Sequence, residues 1–531
     1  MKNFSFKTRT ENITQLQIQK FDIVIIGGGI TGAGVARDAA LRGLKVALIE
    51  SQDFASGTSS RSSKLIHGGI RYLENFDFKL VFEALSERAH LFEIAPHLVH
   101  PLRFMIPLFK DSRVGMFKMG LGMFLYDLLA LFQVPEMHER LSGHESVERN
   151  PSLKQNDLVG SYVYSDAYMD DDRLVHETLR AANEAGAVCV NYVKARYSVI
   201  DGGKVRVIHA QDSRSGYEFD IACNQVVCTV GPWTDLVGET MVENWKKILR
   251  PTKGIHLTFP QDRLKLSSAV VMGAQESNRI VFAIPRHEMV IVGTTDTDYT
   301  GDPRDVKTDL ADVEYLLEIT NHYFPEAKLT QEDIIASYVG VRPLVQDEAG
   351  SEGKTSREHV IQSDEQGFHF VAGGKYTTYR LMSEQIVDRV LHALPIEQRL
   401  AFKKCSTVAP LNEYTSPDQL HLAKSKAATV TETKLVDRYG LEAFEILKKY
   451  PAADYWQLEA YQAIYQTMCL NLVDFYTRRV PLVLSQKDHG LSVLDEVAAV
   501  FKKELILTVA EIEAQKKDVL NHIDRELSWR K

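Results

Sequence analysis

The chain has 531 residues, room for two to four domains of about 100–200 residues each. Its formal net charge of −9 argues against a general nucleic-acid binder, and no nucleic-acid partner is expected. The five cysteines are scattered without a Cys-x-x-Cys pair, which points away from zinc and from a disulfide framework and toward a reducing compartment.

Residues 1–20 are polar, lack the apolar core of a signal peptide and read as an extension. Residues 23–26 form a continuous apolar run, as in a buried parallel strand. Gly27, Gly29 and Gly32 follow in G-x-G-x-x-G spacing, and residues 33–42 read as a helix ended by Gly43. A second strand over 45–49 closes on Glu50. Glycines at this spacing let the backbone turn sharply and approach a pyrophosphate at the helix N-terminus, where Ile30 and Thr31 also lie. An acid about twenty residues on accepts hydrogen bonds from ribose hydroxyls, the place Glu50 takes. The unit therefore predicts a dinucleotide site.

The loop from 51 to 74 is dense in Ser, Thr and Gly. Following the dinucleotide unit directly, it offers Thr58, Ser59, Ser60, Ser63, Lys64, Leu65, His67, Gly68 and Gly69 to line a cofactor groove. Residues 75–133 read as mostly helical, with 80–94 the clearest amphipathic segment. The stretch 114–134 is the most apolar of the chain, but Lys118 and Asp127 interrupt it. Such a segment does not span a bilayer; it lies on a membrane surface or packs against protein. Lys110, Arg113 and Lys118 cluster beside it.

Residues 171–185 read as a helix, 187–192 as a strand, and 205–209 and 217–221 as two more strands. An apolar strand over 224–230 runs into Gly231-Pro232-Trp233, a turn suited to the edge of a nucleotide pocket. From Arg250 the pattern turns β-rich, with short strands at 255–259, 269–272, 279–284 and 289–293. Helix returns at 310–323, and 334–341 leads to Arg342-Pro343. A strand over 368–372 ends in Gly373-Gly374-Lys375, with Tyr376, Thr377 and a helix to 390 behind it. This second strand–glycine–helix device predicts a return of the chain to the cofactor. Beyond about 396 helical periodicity dominates, at 433–449, 454–476, 493–501 and 503–524.

The glycine unit with Glu50, the GTSSRSSKLIHGGIRYLE loop, Thr229-Val230-Gly231-Pro232-Trp233, Lys253-Gly254-Ile255-His256, Gly293-Thr294-Thr295-Asp296, Gly340-Val341-Arg342-Pro343-Leu344 and Ala372 to Arg380 together resemble the FAD-dependent glycerol-3-phosphate dehydrogenases. The resemblance covers about residues 20–390, and Asp474 to Arg479 resembles that family's C-terminal domain. It implies an α/β fold: a glutathione-reductase-like, Rossmann-type FAD-binding domain, a β-sheet substrate domain and a C-terminal all-helical domain. The expected FAD-binding segments are 21–75, 150–250 and 335–395; the cap is 76–149 and 251–334; the helical domain is 396–531. Also implied are oxidation of sn-glycerol 3-phosphate to dihydroxyacetone phosphate, transfer of electrons to membrane quinone, peripheral attachment to the cytoplasmic face of the cell membrane, and a homodimer.

Such a reaction needs cations for the phosphate, and Arg71, Arg342, Arg357 and Lys375 are the candidates. Thr295 is expected to help shape the substrate site. His256 and His67 are the motif histidines; His67 is expected beside the flavin, and the base is left open between His256 and Arg342. Trp233 and Gly374 are expected at the cofactor. Two enzymatic alternatives stand beside this: a glycerol-3-phosphate oxidase that releases peroxide, and an amine or amino-acid oxidase of the same flavin superfamily. The resemblance implies an insertion between Arg342 and Lys375 in oxidases, and that interval is short here. A non-catalytic nucleotide-binding regulator is the alternative from another class.

Overall fold

The computed structural model describes residues 3–273, 279–346 and 359–531, and within these the side chains of Arg71, Glu74 and Asn75 are not described. Arg357 lies outside the described residues.

Two sheets carry the site. The first runs in the order His359–Ser363, Phe368–Gly373, Glu218–Cys228, Lys20–Ile26, Val46–Ile49, Val188–Val190. The five strands from Phe368–Gly373 to Val188–Val190 are mutually parallel. Ile23, Val24 and Ile25 are fully buried, so both faces of this strand are covered, as parallel sheets require. Helix Ile30–Arg42 covers one face through Ala33, Ala36 and Ala39 and packs on helices Asp171–Glu184 and Tyr379–His392. It ends at Gly43 with φ 97°, the left-handed conformation that glycine tolerates best.

Strand Glu218–Cys228 is continuous, although its sequence reads as two strands. Its first half alternates buried and open and pairs antiparallel with Lys204–Asp212. Its second half is buried and pairs in parallel with Lys20–Ile26 and Phe368–Gly373. The change of partner changes the burial period, which breaks the sequence pattern in mid-strand.

Among the described residues the second sheet has ten strands. Strand Leu249–Pro260 lies at its functional end, flanked by Met289–Gly293 and Ala336–Val345. Strand Val99–Phe109 pairs along its whole length with Leu158–Met169. The mostly helical expectation for 75–133 fails there: helices Phe78–Ile94 and Met116–Leu129 flank this strand. Pro101 and Pro107 oppose helix, and long pairing to a distant partner decides the conformation. Leu158–Met169 and Ala336–Val345 also pair within this second sheet, inside segments expected to belong to the cofactor domain. Apolar residues of the sheet and of helix Leu310–Tyr323 form its core.

After residue 373 the described chain contains no strand. The helices expected at 433–449 and 454–476 are each broken in two, at Gly440 with φ 56° and at residues 467–471. The polar N-terminal stretch folds as helix Phe6–Ile18, started by a Ser5–Thr8 capping box and anchored by fully buried Leu16.

Candidate active site

A cavity of about 1140 Å³ opens between the two sheets. At one end lies the glycine turn. Gly27 has φ 110°, and a Cβ there would lie 2.6 Å from the Thr229 carbonyl oxygen of the neighbouring strand. Gly32 packs against the Gly27 carbonyl and leaves no room for a side chain. The Glu50 carboxylate accepts from Gly28 N–H at 2.7 Å and from Gln52 N–H at 2.9 Å, which fixes it at the end of its strand. Burial pushes its pKa up, and the Gly28 hydrogen bond opposes that shift. The Ile30 N–H donates to Ser59 Oγ at 3.0 Å, tying the hydroxyl loop to the helix start.

The loop then crosses to the second sheet. Thr58 Oγ1 donates to the Val341 carbonyl at 2.7 Å, and Arg61 Nη1 donates to the Val339 carbonyl at 3.0 Å. Ser62 Oγ donates to Asp171 at 2.7 Å, and Lys64 forms a buried ion pair with the same carboxylate. These bonds hold the serines between the sheets. The second glycine turn arrives through Gly373 and Gly374, both at positive φ. The Thr377 hydroxyl accepts from the His67 N–H and donates to the His67 carbonyl, both at 3.3 Å.

At the other end sit His256 and Arg342, on adjacent antiparallel strands. His256 Nε2 meets Ser63 Oγ at 2.8 Å, and the Tyr338 ring stacks on the imidazole at 4.7 Å between centroids and 9° between planes. Burial holds the His256 pKa well below the usual histidine range, and the charges of Arg342 and Lys64 act in the same direction. Arg342 Nη1 donates to Asp296 at 3.1 Å; its Nη2 donates to Thr294 Oγ1 at 2.8 Å and to the Thr295 carbonyl at 3.2 Å. The guanidinium lies over Gly254, where any side chain would collide with it. Lys375 Nζ sits 3.6 Å from the centroid of the Tyr72 ring.

Of the expected cofactor residues, Gly27, Gly29, Ile30, Thr31, Glu50, Thr58, Ser59, Ser63, Leu65, His67, Gly231, Trp233, Gly374, Lys375, Tyr376 and Thr377 line the cavity. Gly32, Ser60, Lys64, Gly68 and Gly69 stand behind that wall. Lys64 is spent on Asp171, and Gly68 N–H donates to Asp166. His256, Arg342 and Lys375 line the same space. Thr295 does not: it is buried, its hydroxyl accepts from Ile255 N–H at 3.1 Å, and it reaches the site only by holding Arg342. Arg61, Arg196, Tyr197, His209 and Arg304 also line the cavity and escaped the sequence reading. Tyr197 stacks on His209 at 4.5 Å from strand Val193–Asp201, whose polar, open character hides it among surface strands. Arg61 could have been found as an arginine set directly between serines, Ser60 and Ser62, in that loop.

These groups suit a dinucleotide. A helix N-terminus and hydroxyls face one end of a cavity large enough for it, Glu50 offers an acceptor, and the far end holds a cation and a neutral base.

Comparison with known proteins agrees in kind and in extent. The family model described as FAD dependent oxidoreductase matches residues 22–380. The model described as C-terminal domain of alpha-glycerophosphate oxidase matches residues 413–512. The aerobic glycerol-3-phosphate dehydrogenase of Staphylococcus saprophyticus is 35% identical over 530 residues, covering 96% of this chain and 95% of its own. That of Staphylococcus haemolyticus is 40% identical over 393 residues, covering 74% and 71%. The X-ray structure of the glycerol-3-phosphate dehydrogenase from Bacillus halodurans complexed with FAD superposes with a TM-score of 0.80 at 28% identity, over 98% of both chains. The L-alpha-glycerophosphate oxidase from Mycoplasma pneumoniae shares the fold, with a TM-score of 0.55 at 18% identity over 71% of this chain and 95% of its own. With motifs, sheet order and relatives in accord along nearly its whole length, the chain belongs to the FAD-dependent glycerol-3-phosphate dehydrogenase family.

Proposed function

We propose that this protein oxidises sn-glycerol 3-phosphate to dihydroxyacetone phosphate with FAD and passes the electrons to a membrane quinone. One observation carries the reading: a single cavity runs from the glycine turn and Glu50 to His256 and Arg342. When bound, FAD supplies the hydride acceptor. Gly27, Gly29, Glu50 and the Thr58–Ser59 hydroxyls would hold its nucleotide half, and His67, Gly374 and Lys375 its other half. Arg342, Lys375 and Arg71 are the cations for the substrate phosphate. His256, kept neutral by burial, takes the hydroxyl proton at Nε2, and Arg342 steadies the negative charge that develops on that oxygen.

The quinone and membrane part rests on helix Met116–Leu129. Phe117, Leu121, Phe124 and Leu128 recur along its outer face, with Phe117 90% exposed and Leu121 63% exposed. Met123, Tyr126 and Asp127 on the other face are buried. Lys118 is exposed beside Phe117. An apolar stripe with a basic neighbour suits the interface of an anionic bilayer. No helix among the described residues is long and apolar enough to cross a membrane, so contact would be peripheral and through this face.

The test is optical. Purified protein should be yellow and should bleach when glycerol 3-phosphate is added without oxygen. A colourless protein, or a yellow one that this substrate leaves unchanged, overturns the reading. Reoxidation by a soluble quinone with little peroxide separates the dehydrogenase from an oxidase, which would return one peroxide per substrate.

A further inference from the structure

The C-terminal helical region makes a contact with the nucleotide end that the oxidation chemistry does not require. Asp53 follows Glu50 by three residues, is 1% exposed, and does not line the cavity. Arg479 grips its carboxylate with both terminal nitrogens, at 2.8 and 3.0 Å, and Arg478 Nε donates to it at 2.8 Å. Asn191 adds a fourth donor at 3.1 Å. Arg478 also bonds Asp474 at 2.5 Å, and Arg479 is oriented by Thr467. Burial raises the Asp53 pKa, but Arg479 and Arg478 outweigh it and hold the carboxyl well below its ordinary value. Two arginines of the helical region thus converge, buried, on one charged side chain of the loop over 51–56.

That loop is part of the nucleotide wall. Ser51, Gln52 and Ser56 line the cavity on either side of Asp53. Ala55 N–H donates to the Gly28 carbonyl at 3.0 Å, and the Phe54 ring lies where a Cβ on Gly28 would come within 2.6 Å of it. Glu50 and Gln52 carbonyls accept from Val193 and Tyr192 N–H groups at 2.7 and 2.8 Å. The loop is clasped by the glycine turn on one side and by Arg478 and Arg479 on the other. Local bonds also shape it, Gln52 N–H to the Glu50 carboxylate and Ser56 N–H to the Asp53 carbonyl, and the distant arginines fix its one buried charge.

We propose that the C-terminal helical region sets the affinity for FAD through Asp53, with Arg478 and Arg479 as positioning residues that hold the loop over 51–56, and with it Glu50, in the form that receives the nucleotide. This rests on the FAD reading above and adds a role for the helical region. A chain whose helical region is undocked would lose its grip on FAD before losing its substrate site.

The experiment uses the full chain with Asp53→Asn and Arg479→Lys. The lysine keeps the charge and removes the two-pronged grip. After FAD is stripped, thermal unfolding of each apoprotein is recorded, and FAD is titrated back by quenching of its fluorescence. Both variants should bind FAD about tenfold more weakly or worse. With saturating FAD, KM for glycerol 3-phosphate should stay within about twofold of wild type. Glu442→Gln is the control. It breaks another buried pair at this boundary, Arg180 with Glu442 at 2.7 Å, without touching the loop. It should lower the melting temperature and leave FAD affinity unchanged. The proposal is overturned if Asp53→Asn and Arg479→Lys bind FAD like wild type, or if Glu442→Gln weakens binding as much as they do. A wild-type chain that takes up no FAD overturns the functional reading first, and this proposal with it.

Discussion

At the scale of single residues, the far end of the cavity is defined by how its groups are held. Arg342 donates to Asp296, Thr294 and Thr295 from two nitrogens and has a glycine beneath it, so its fork is aimed before any substrate arrives. Arg342→Ala is expected to cut kcat/KM by about 100-fold or more while FAD stays bound; near-normal turnover in that variant refutes the assignment. His256 carries a second expectation. Its folded pKa lies well below about 6.5, so it stays neutral, and able to accept a proton, as pH falls through the range where ordinary histidines charge. The ratio of kcat/KM for wild type to that for His256→Asn cancels the titration of the substrate phosphate. It should be flat from pH 8 to about 6.5 and decline only below that. A decline centred at 6.5 or higher removes His256 as the base.

Residues of this kind were unevenly legible in the sequence. The Glu50 carboxylate and the start of the glycine helix announce themselves because the groups they bond are within thirty positions, Gly28 for Glu50 and Ser59 for Ile30. His256 and Arg342 became candidates through motifs, but their roles depend on Ser63, Tyr338 and Asp296. Those partners come from three separate segments, and only the fold joins them. Thr295 shows the reverse case: it sits in a motif, yet its hydroxyl is consumed by backbone.

At the scale of elements, pattern predicted what burial on both faces or one stripe enforces, and missed what pairing enforces. The parallel strands Lys20–Ile26 and Phe368–Gly373 read plainly, being short apolar runs bounded by glycine. Strand Val99–Phe109 did not, since its pairing partner begins at Leu158. Helix Met116–Leu129 was located, and its exposed stripe gives a test. Phe117→Glu with Leu121→Glu should abolish binding to vesicles containing anionic lipid. Turnover with a soluble dye acceptor should remain near wild type, because neither side chain lines the cavity. Unchanged flotation with vesicles removes this helix as the contact.

At the scale of the whole molecule, three regions are interlocked. Trp529 is buried in the core of the second sheet, and its Nε1 donates to Ser337 Oγ at 3.0 Å. Arg180 joins Glu442 across the boundary with the helical region, and Arg173 donates to the Arg438 carbonyl at 2.6 Å. A ligand in a cavity between such parts stabilises all of them together. FAD at 100 times its Kd should add about 2.7 kcal/mol. Calorimetry should therefore show one transition that moves upward as a unit. A helical region that melts separately, at a temperature FAD does not alter, contradicts this coupling.

The order of the first sheet has a consequence for how the chain is made. Lys20–Ile26 pairs with Glu218–Cys228, which in turn pairs with Phe368–Gly373. During synthesis the earliest strand is therefore without one neighbour until some two hundred more residues have emerged, and the sheet is incomplete until the third segment arrives. An apolar strand with an open edge is then exposed on the nascent chain for the whole interval. Slower translation, which gives the later segments time to arrive, is expected to raise the soluble yield; an unchanged soluble fraction contradicts this consequence of the topology.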